Sequence, residues 1–114
     1  MASVTATAVA TRVMVFFSED DTVARRGLHQ VLLERALRGG LAGATIWRGI
    51  EGFGASGGIR TARFPDAAAG LPLVLELIDT PGRIEAFLPV LQELAPGATV
   101  TREQVEIIRF GSHP

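Results

Sequence analysis

The sequence contains no lysine, no cysteine and no tyrosine, and each absence removes a class of chemistry. Without lysine there is no Schiff-base nucleophile and no cation for a lysine-bearing phosphate loop. Without cysteine there are no disulfides, no thiolate catalysis and no Cys-ligated zinc or iron–sulfur centre. The two histidines, His29 and His113, lie far apart in the sequence and do not predict a metal site.

Neither sign of charge dominates, because 11 basic residues, all of them arginine, face 12 acidic residues for a formal net charge of -1. This balance argues against a protein whose main function is to bind nucleic acid or an anionic membrane. Arginine, as the only cation, favours planar bidentate contacts with carboxylate or phosphate groups. No segment is long and apolar enough to span a bilayer or to act as a signal peptide, so we expect a cytoplasmic protein.

The 114 residues are enough for one domain, and the order of its elements predicts the fold. Apolar periodicity predicts a first helix over 23–38, capped by Asp21 or Thr22. A second helix begins at Thr80 and Pro81, ends near Ala95, and should be kinked by Pro89. Segments rich in Val, Ile, Leu and Phe predict strands over 12–17, 44–50, 73–79 and 105–110.

The resulting order, strand–helix–strand–strand–helix–strand, is that of an α+β ferredoxin-like βαββαβ fold. Such a fold has a four-stranded antiparallel sheet with both helices on one face. We expect residues 12–110 to form this domain, between a flexible N-terminal tail over 1–11 and a short C-terminal tail over 111–114.

The predicted third strand is apolar on both faces, with Leu73, Leu75 and Leu77 on one face and Val74 and Ile78 on the other. Two helices on one side of the sheet cover only one of these faces. The exposed apolar face that remains is rare in soluble monomers, so it predicts self-association, with an apolar ligand as the alternative cover.

Glu76 interrupts the apolar run of this strand, and an unpaired carboxylate there is costly. Three partners are open to it: an arginine across a subunit boundary, a ligand hydroxyl, or an intrachain arginine. The last is Arg109 or an arginine of a neighbouring strand.

A glycine-rich loop over 51–59 is the best candidate for a binding function, because bare backbone amides at 52–54 can approach an anion closely. Its spacing matches neither the dinucleotide fingerprint nor the Walker loop. The alternative is an exposed hairpin loop whose glycines only permit turns. The arginines that flank it can clamp a phosphate or carboxylate, or can simply pair with Glu51 and Asp66: Arg48, Arg60 and Arg63.

Four sequence motifs resemble the family known as domain of unknown function 190. They are FFSEDD at 16–21, GLAGATIWRGIEGFGASGGIRTAR at 40–63, LELIDTPGRIEAFLPVL at 75–91 and VEIIRF at 105–110. The family is similar in fold to the PII signal-transduction proteins, which are trimers of ferredoxin-like subunits. The resemblance therefore implies a PII-like homotrimer.

The wider similarity to PII proteins implies roles for several residues. Thr45 and Gly54 match positions that line the PII nucleotide cleft, Glu76 matches a strand carboxylate near it, and Arg109 matches a C-terminal arginine that meets phosphates. Three departures are visible. Ala55 replaces a ligand-contacting arginine, the connection over 95–98 lacks the lysine-bearing phosphate loop, and no tyrosine is available for uridylylation.

The hypothesis that joins these observations is a non-enzymatic, trimeric PII-like signalling protein. It would sense a small anionic ligand, for which a nucleotide is one candidate, in clefts between subunits. It would act through the glycine-rich loop on a partner protein, for which a membrane transporter or channel is one class. No catalytic residue, metal ligand or other cofactor is expected. The ligand-binding residues are Thr45, Arg48, Gly52, Phe53, Gly54, Glu76 and Arg109.

Two alternatives remain open from the sequence. One is a metal-tolerance protein, because such proteins share the trimeric architecture. The other is a small cofactor-free enzyme on the same scaffold, since a fold does not fix a function.

Overall fold

The computed structural model describes residues 6–54, 57–63 and 70–111, and a four-stranded antiparallel sheet lies at its centre. The elements in chain order are β1 (Ala6–Ser18), β2 (Thr22–Val23), β3 (Arg26–Gly27), α1 (Leu28–Arg38), β4 (Ala44–Arg48), β5 (Glu51–Gly52), β6 (Arg60–Thr61), β7 (Pro72–Asp79), α2 (Pro81–Leu94) and β8 (Thr99–Arg109). The main sheet has the strand order β4-β7-β1-β8. This order, with both helices on one face, confirms the ferredoxin-like α+β fold.

The hydrophobic core lies between the helices and one face of the sheet. Alternate residues of the two central strands, β1 and β7, point into it, as the two-residue period of a strand requires. The apolar stripes of both helices, spaced three or four residues apart, cover them. The buried core residues are Val13, Val15, Leu28, Leu32, Ala36, Leu75, Leu77, Ile84, Phe87, Leu91 and Ala95.

The first helix begins at Leu28, five residues after the predicted start, so the predicted capping by Asp21 or Thr22 is wrong. Before the helix, β2 and β3 form a tight hairpin, and its two turn residues, Ala24 and Arg25, both have positive φ. The Asp21 carboxylate instead accepts a hydrogen bond from the Ser18 amide at 2.9 Å. The acidic string therefore builds a turn and not a helix cap.

The second helix begins as the sequence predicts, with Pro81 at its first position and Thr80 as its N-cap. The Thr80 hydroxyl accepts from the Arg83 amide at 3.4 Å. The helix runs through Pro89 to Leu94. Pro89 is exposed, so the Glu85 carbonyl that loses its helical partner lies on the solvent side of the helix, where water can bind it.

The first strand begins at Ala6, six residues before the predicted Arg12, so residues 6–11 belong to the sheet and not to a tail. Its pairing with β8 runs from Ala6 opposite Arg109 to Phe16 opposite Thr99, whereas its pairing with β7 starts only at Thr11. Residues 6–10 and 105–109 therefore extend past the end of β7 as a two-stranded ribbon.

The sheet face opposite the helices carries apolar side chains on β7, as predicted for the third strand, with the carboxylate of Glu76 between them. Leu73, Leu75 and Leu77 are buried under the helices, whereas Val74 and Ile78 are half-buried on the other face. We call this other face the open face. Within the described ranges, no helix is long and apolar enough to cross a membrane.

Candidate functional site

A cavity of about 610 Å³ lies at one end of the sheet. Gly70, Pro72 and Leu73 are among its lining residues, and three further segments, distant in sequence, form its walls. The first wall is the glycine-rich loop, including Gly52, Phe53, Gly54, Gly58 and Arg60. The second is the end of β1 with the acidic turn, and the third is the connection from α2 to β8. The residues from these last two walls include Phe16, Phe17, Asp20, Asp21, Leu94, Pro96, Gly97 and Thr99.

The base of the glycine-rich loop is a small β-ribbon and not the irregular segment that glycine content predicts. Glu51 pairs with Thr61 and Gly52 with Arg60 across β5 and β6. The Glu51 carboxylate accepts from the Thr61 hydroxyl at 2.9 Å and forms an ion pair with Arg63 at 2.9 Å. These contacts fix the direction in which the loop leaves the sheet, and they place residues 52–54 at the cavity.

Glu19 ties the acidic turn to the base of this loop. Its carboxylate accepts two hydrogen bonds from the Arg48 guanidinium, at 2.9 and 3.2 Å, and one from the Leu71 amide at 3.1 Å. The Arg48 hydrogen bond lowers the pKa of Glu19, and Glu19 in turn raises the pKa of Arg48. Arg48 therefore holds the wall of the site together and is already engaged within its own chain.

Arg60 and Asp20 carry charge at the cavity without being paired to each other. A Cβ atom at Gly70 would stand 2.5 Å from an Asp20 carboxylate oxygen and 3.7 Å from the Arg60 guanidinium carbon, so both groups flank the Gly70 backbone. Among the described residues, the Arg60 guanidinium has no hydrogen-bond or ion-pair partner. Within the described ranges, the cavity thus offers the unpaired Arg60 cation beside a carboxylate, against mostly apolar walls.

Of the seven residues predicted to bind ligand, the structure brings three to the cavity: Gly52, Phe53 and Gly54. Arg48 is adjacent at the end of β4 but pairs with Glu19. Arg109 lies ten residues from Thr99 along β8, which is about 33 Å in an extended strand. Within one chain it cannot reach the cavity.

Thr45 and Glu76 lie opposite each other on β4 and β7, on the open face of the sheet. Glu76 accepts a hydrogen bond from the Trp47 indole at 3.4 Å and lies 3.7 Å from the Arg12 guanidinium. Arg12 also pairs with Glu103 on the strand beyond. Of the partners considered for Glu76, the structure therefore shows an arginine of the neighbouring strand β1.

The sequence predicts that Arg60 flanks the loop but does not include it in the ligand-binding set, and it assigns no role in ligand binding to Asp20. The signal available in the sequence was their position: each lies within three residues of a strand end that meets the cavity. Asp66 and Ala55 lie outside the described residues. Across the described ranges, no group of three or more His, Asp or Glu residues is placed to hold a metal ion.

Comparison with known proteins relates the chain to one family. The family model for DUF190, described as "Uncharacterized ACR", matches residues 10–107. A protein of Aquifex aeolicus (strain VF5), described as a UPF0166 protein, is 37% identical over 94 residues, which cover 82% of this chain and 89% of that protein.

Solved structures share the fold at lower identity. A PII-like signalling protein from Thermus thermophilus superposes with a TM-score of 0.61 at 23% identity, over 90% of this chain and 91% of that one. The PII-like protein CPII from Thiomonas intermedia K12, solved bound to ADP and bicarbonate, gives a TM-score of 0.64 at 13% identity, over 90% and 91% of the two chains. These likenesses establish a PII-like fold.

Proposed function

The chain belongs to the DUF190 family, and from that membership and its PII-like fold we propose that it is a trimeric regulator whose cavity binds a small anionic effector. Binding changes the conformation of the glycine-rich loop, which contacts a partner protein. The role is one of sensing and relay, with no reaction catalysed.

The observation that carries this proposal is the shared wall: the loop and the cavity use the same residues. Gly52, Phe53 and Gly54 line the cavity, and Gly54 also accepts a hydrogen bond from the Gly57 amide at 2.9 Å within the loop. A ligand in the cavity therefore contacts the segment whose shape a partner would meet. We expect the ligand to order this segment, and a change between order and disorder in a loop is a common switching mechanism.

The chemistry of the walls fits a ligand with a flat apolar part and an anionic end. The rings of Phe16, Phe17 and Phe53 offer surfaces for a base or similar ring. Arg60 and the loop amides supply donors for the anion. A nucleotide has this composition, and the structures of CPII bound to ADP, AMP and bicarbonate support it as a candidate class.

The proposed trimer completes the charge of the site. Because Arg109 lies about 33 Å along β8 from its own cavity, it can serve a ligand only in the cavity of a neighbouring subunit. The open face, which exposes Trp47 and Phe16, is the surface that self-association would cover.

The loop also presents apolar side chains to a partner. Ile50, Phe53 and Ile59 are all more than 70% exposed around the loop. Exposed apolar residues grouped on a protruding segment are typical of protein contacts. A transporter or channel with an apolar recess is one class of partner that fits.

Calorimetry with ADP, AMP and bicarbonate tests the ligand. We expect Arg60→Gln to weaken binding roughly ten- to a hundredfold, the cost of one charge-assisted hydrogen bond. Arg63→Gln is the matched control, since Arg63 pairs with Glu51 outside the cavity wall. Arg109→Ala should weaken binding only in the trimer. Equal affinities in the Arg60 and Arg63 variants, or no binding of any of the three probes, would contradict the proposal.

Amide hydrogen exchange tests the relay. We expect the amides of Gly54, Gly57 and Gly58 to exchange rapidly without ligand and more slowly at saturating ligand. The Ala62 amide should be protected in both states, because it donates to the Ile50 carbonyl at 2.8 Å at the base of the ribbon. If the exchange rates of the loop amides do not change on binding, the ligand does not change the conformation of the loop, and the proposed relay is contradicted.

A further inference from the structure

A second cleft, of about 300 Å³, lies in the helical layer of the molecule, between the C-terminal turn of α1 and residues 83–90 of α2. Three arginines line it: Arg35 and Arg38 from α1 and Arg83 from α2. We propose that this cleft is a binding site for the phosphoryl group of a small molecule. The site is separate from the cavity at the glycine-rich loop and does not depend on the function proposed for that cavity.

The two helices bring three arginines to the lining of one cleft. Arg35 and Arg38 are three residues apart, so they occupy the same helix face one turn apart. Arg83 reaches across from α2, and its Nη1 donates to the Gly40 carbonyl at 2.7 Å, two residues beyond Arg38. All three arginines therefore line the cleft beside the C-terminal end of α1.

No carboxylate among the described residues pairs directly with Arg35 or Arg38. Both oxygens of Glu34, one turn before Arg38, accept from Arg26 at 2.8 and 2.6 Å. The oxygens of Asp79 accept from the backbone amides of Ala42 and Thr80 at 2.9 and 2.7 Å, and the nearer one is 4.0 Å from Arg83. The side chains of Arg35 and Arg38 make no hydrogen bond or ion pair with any described residue. The hydrogen bond from Arg26 lowers the pKa of the Glu34 carboxyl, and the charge of Arg38 helps to lower it only at longer range.

The end of the helix does not itself account for these arginines. The last-turn carbonyls of Arg35, Leu37 and Ala36 already accept backbone hydrogen bonds from Gly39, Gly40 and Leu41, at 2.8, 3.1 and 3.2 Å. The guanidinium groups are therefore not needed as caps. Three like charges held around a cleft repel one another, and an anion between them relieves that repulsion.

The shape and lining of the cleft favour a small phosphorylated molecule over the acidic surface of a protein. Its volume is at the lower end of ligand pockets, which start at about 300 Å³. Its floor is apolar, formed by Phe87 and Val90 of α2 with Leu41 opposite. Arginine forks match the oxygens of a phosphoryl group in pairs. The cleft thus accepts a phosphoryl group with a short organic portion attached.

Titration of the isotopically labelled protein with inorganic pyrophosphate, followed by amide NMR at constant ionic strength, tests the site. We expect saturable shifts at Gly39 and Gly40, beside the cleft. We expect Arg35→Gln and Arg38→Gln each to weaken binding at least tenfold. Arg102→Gln removes the same charge from an arginine that pairs with Glu85 outside the cleft, and it should leave binding unchanged. Circular dichroism of each variant checks that α1 remains folded.

Four results would overturn the proposal. One is the absence of saturable shifts at millimolar pyrophosphate. Another is an equal loss of affinity in Arg102→Gln, which would indicate unspecific charge. The third is saturable binding of an acidic peptide where pyrophosphate does not bind, which would make the cleft a protein contact. Shifts confined to Gly52 and Gly54, and removed only by Arg60→Gln, would place the anion in the other cavity and would equally overturn it.

Discussion

At the scale of single residues, the cavity depends on side chains that hold loops in place. Glu19 is the clearest example, because one carboxylate joins β4, through Arg48, to the buried start of β7 at Leu71. A surface ion pair alone contributes little to stability. The Glu19 carboxylate, however, also accepts a hydrogen bond from the amide of Leu71, which is a buried residue, and an unpaired buried amide is costly.

We expect Glu19→Gln to lower the free energy of unfolding by about 1 kcal/mol at neutral pH, since it keeps the amide contact and loses the charge. Pairing lowers the folded-state pKa of Glu19 from its ordinary value of 4.5. Its contribution is therefore fully present above that value and is lost as the pH falls through the lowered pKa. Urea denaturation of the wild type and the variant over a pH series measures this difference.

Glu93→Gln is the control for that series, because Glu93 is exposed and has no ion pair among the described residues. Its stability difference from the wild type should be small at every pH. A Glu19→Gln difference that does not shrink in acid would show that the charge of Glu19 is not what stabilises the turn.

A glycine also shapes the cavity. Gly70 has φ +74 and an Asp20 oxygen 2.5 Å from where a Cβ would stand, whereas Gly40 has φ +76 and nothing within 4 Å. We expect Gly40→Ala to cost about 1–2 kcal/mol from backbone strain alone. Gly70→Ala should cost more, because Asp20 must also move. Equal losses in chemical denaturation would show that Asp20 yields freely.

At the scale of elements, the two helices show which sequence signals suffice. The second helix begins where a capping threonine meets a proline, and both signals act through the backbone next to them. Acidic residues and a hydroxyl residue, Asp21 and Thr22, also precede the first helix. They form a turn and the start of the β2–β3 hairpin instead of a helix cap. Capping residues and turn residues are the same types, so only the tertiary contacts of the acidic turn decide between them.

Thr80→Ala and Thr22→Ala test this difference directly. Thr80→Ala should destabilise the protein by roughly 0.5–1 kcal/mol, the lower part of the range for a lost N-cap, because its hydrogen bond is long at 3.4 Å. Thr22 lies in β2 and should lose little. Denaturation midpoints of the two variants give the comparison. A larger loss at Thr22 would mean that the hairpin, and not the cap, is the critical element.

The sequence predicted the order of helices and strands along the chain, the second helix and the apolar third strand, because each depends on local periodicity. It placed three of the seven predicted ligand-binding residues at the cavity, those in the glycine-rich loop itself. The other four lie elsewhere in the chain, because their positions are set by strand register. Register cannot be read from spacing, and it leaves Arg109 at the far end of β8 from the cavity.

At the scale of the whole molecule, the open face is the surface on which a single chain leaves large apolar side chains exposed. Trp47, Val74 and Phe16 form a row across three strands of this face. Trp47 and Phe16 remain 57% and 41% exposed. In the proposed trimer, burial of such a row between copies would supply the main driving force for association.

We expect the wild type to have the mass of a trimer by light scattering at micromolar concentration. Val74→Arg, in the middle of the row, should reduce that mass, because it would bury an unpaired charge. Leu37→Arg is the matched control: Leu37 is 79% exposed on α1, away from the open face, and should leave the mass unchanged. A wild type with the mass of a monomer would contradict the trimer.

The ribbon of residues 6–10 and 105–109 has a hydrodynamic consequence. A compact chain of this length has a radius of gyration of about 13 Å, but this one has 16.7 Å, with extents of 56 × 31 × 24 Å. A separated subunit should therefore meet more friction than a sphere of its mass. Packing the ribbons against neighbouring copies would remove that excess. Sedimentation velocity would then separate the two states by shape as well as by mass.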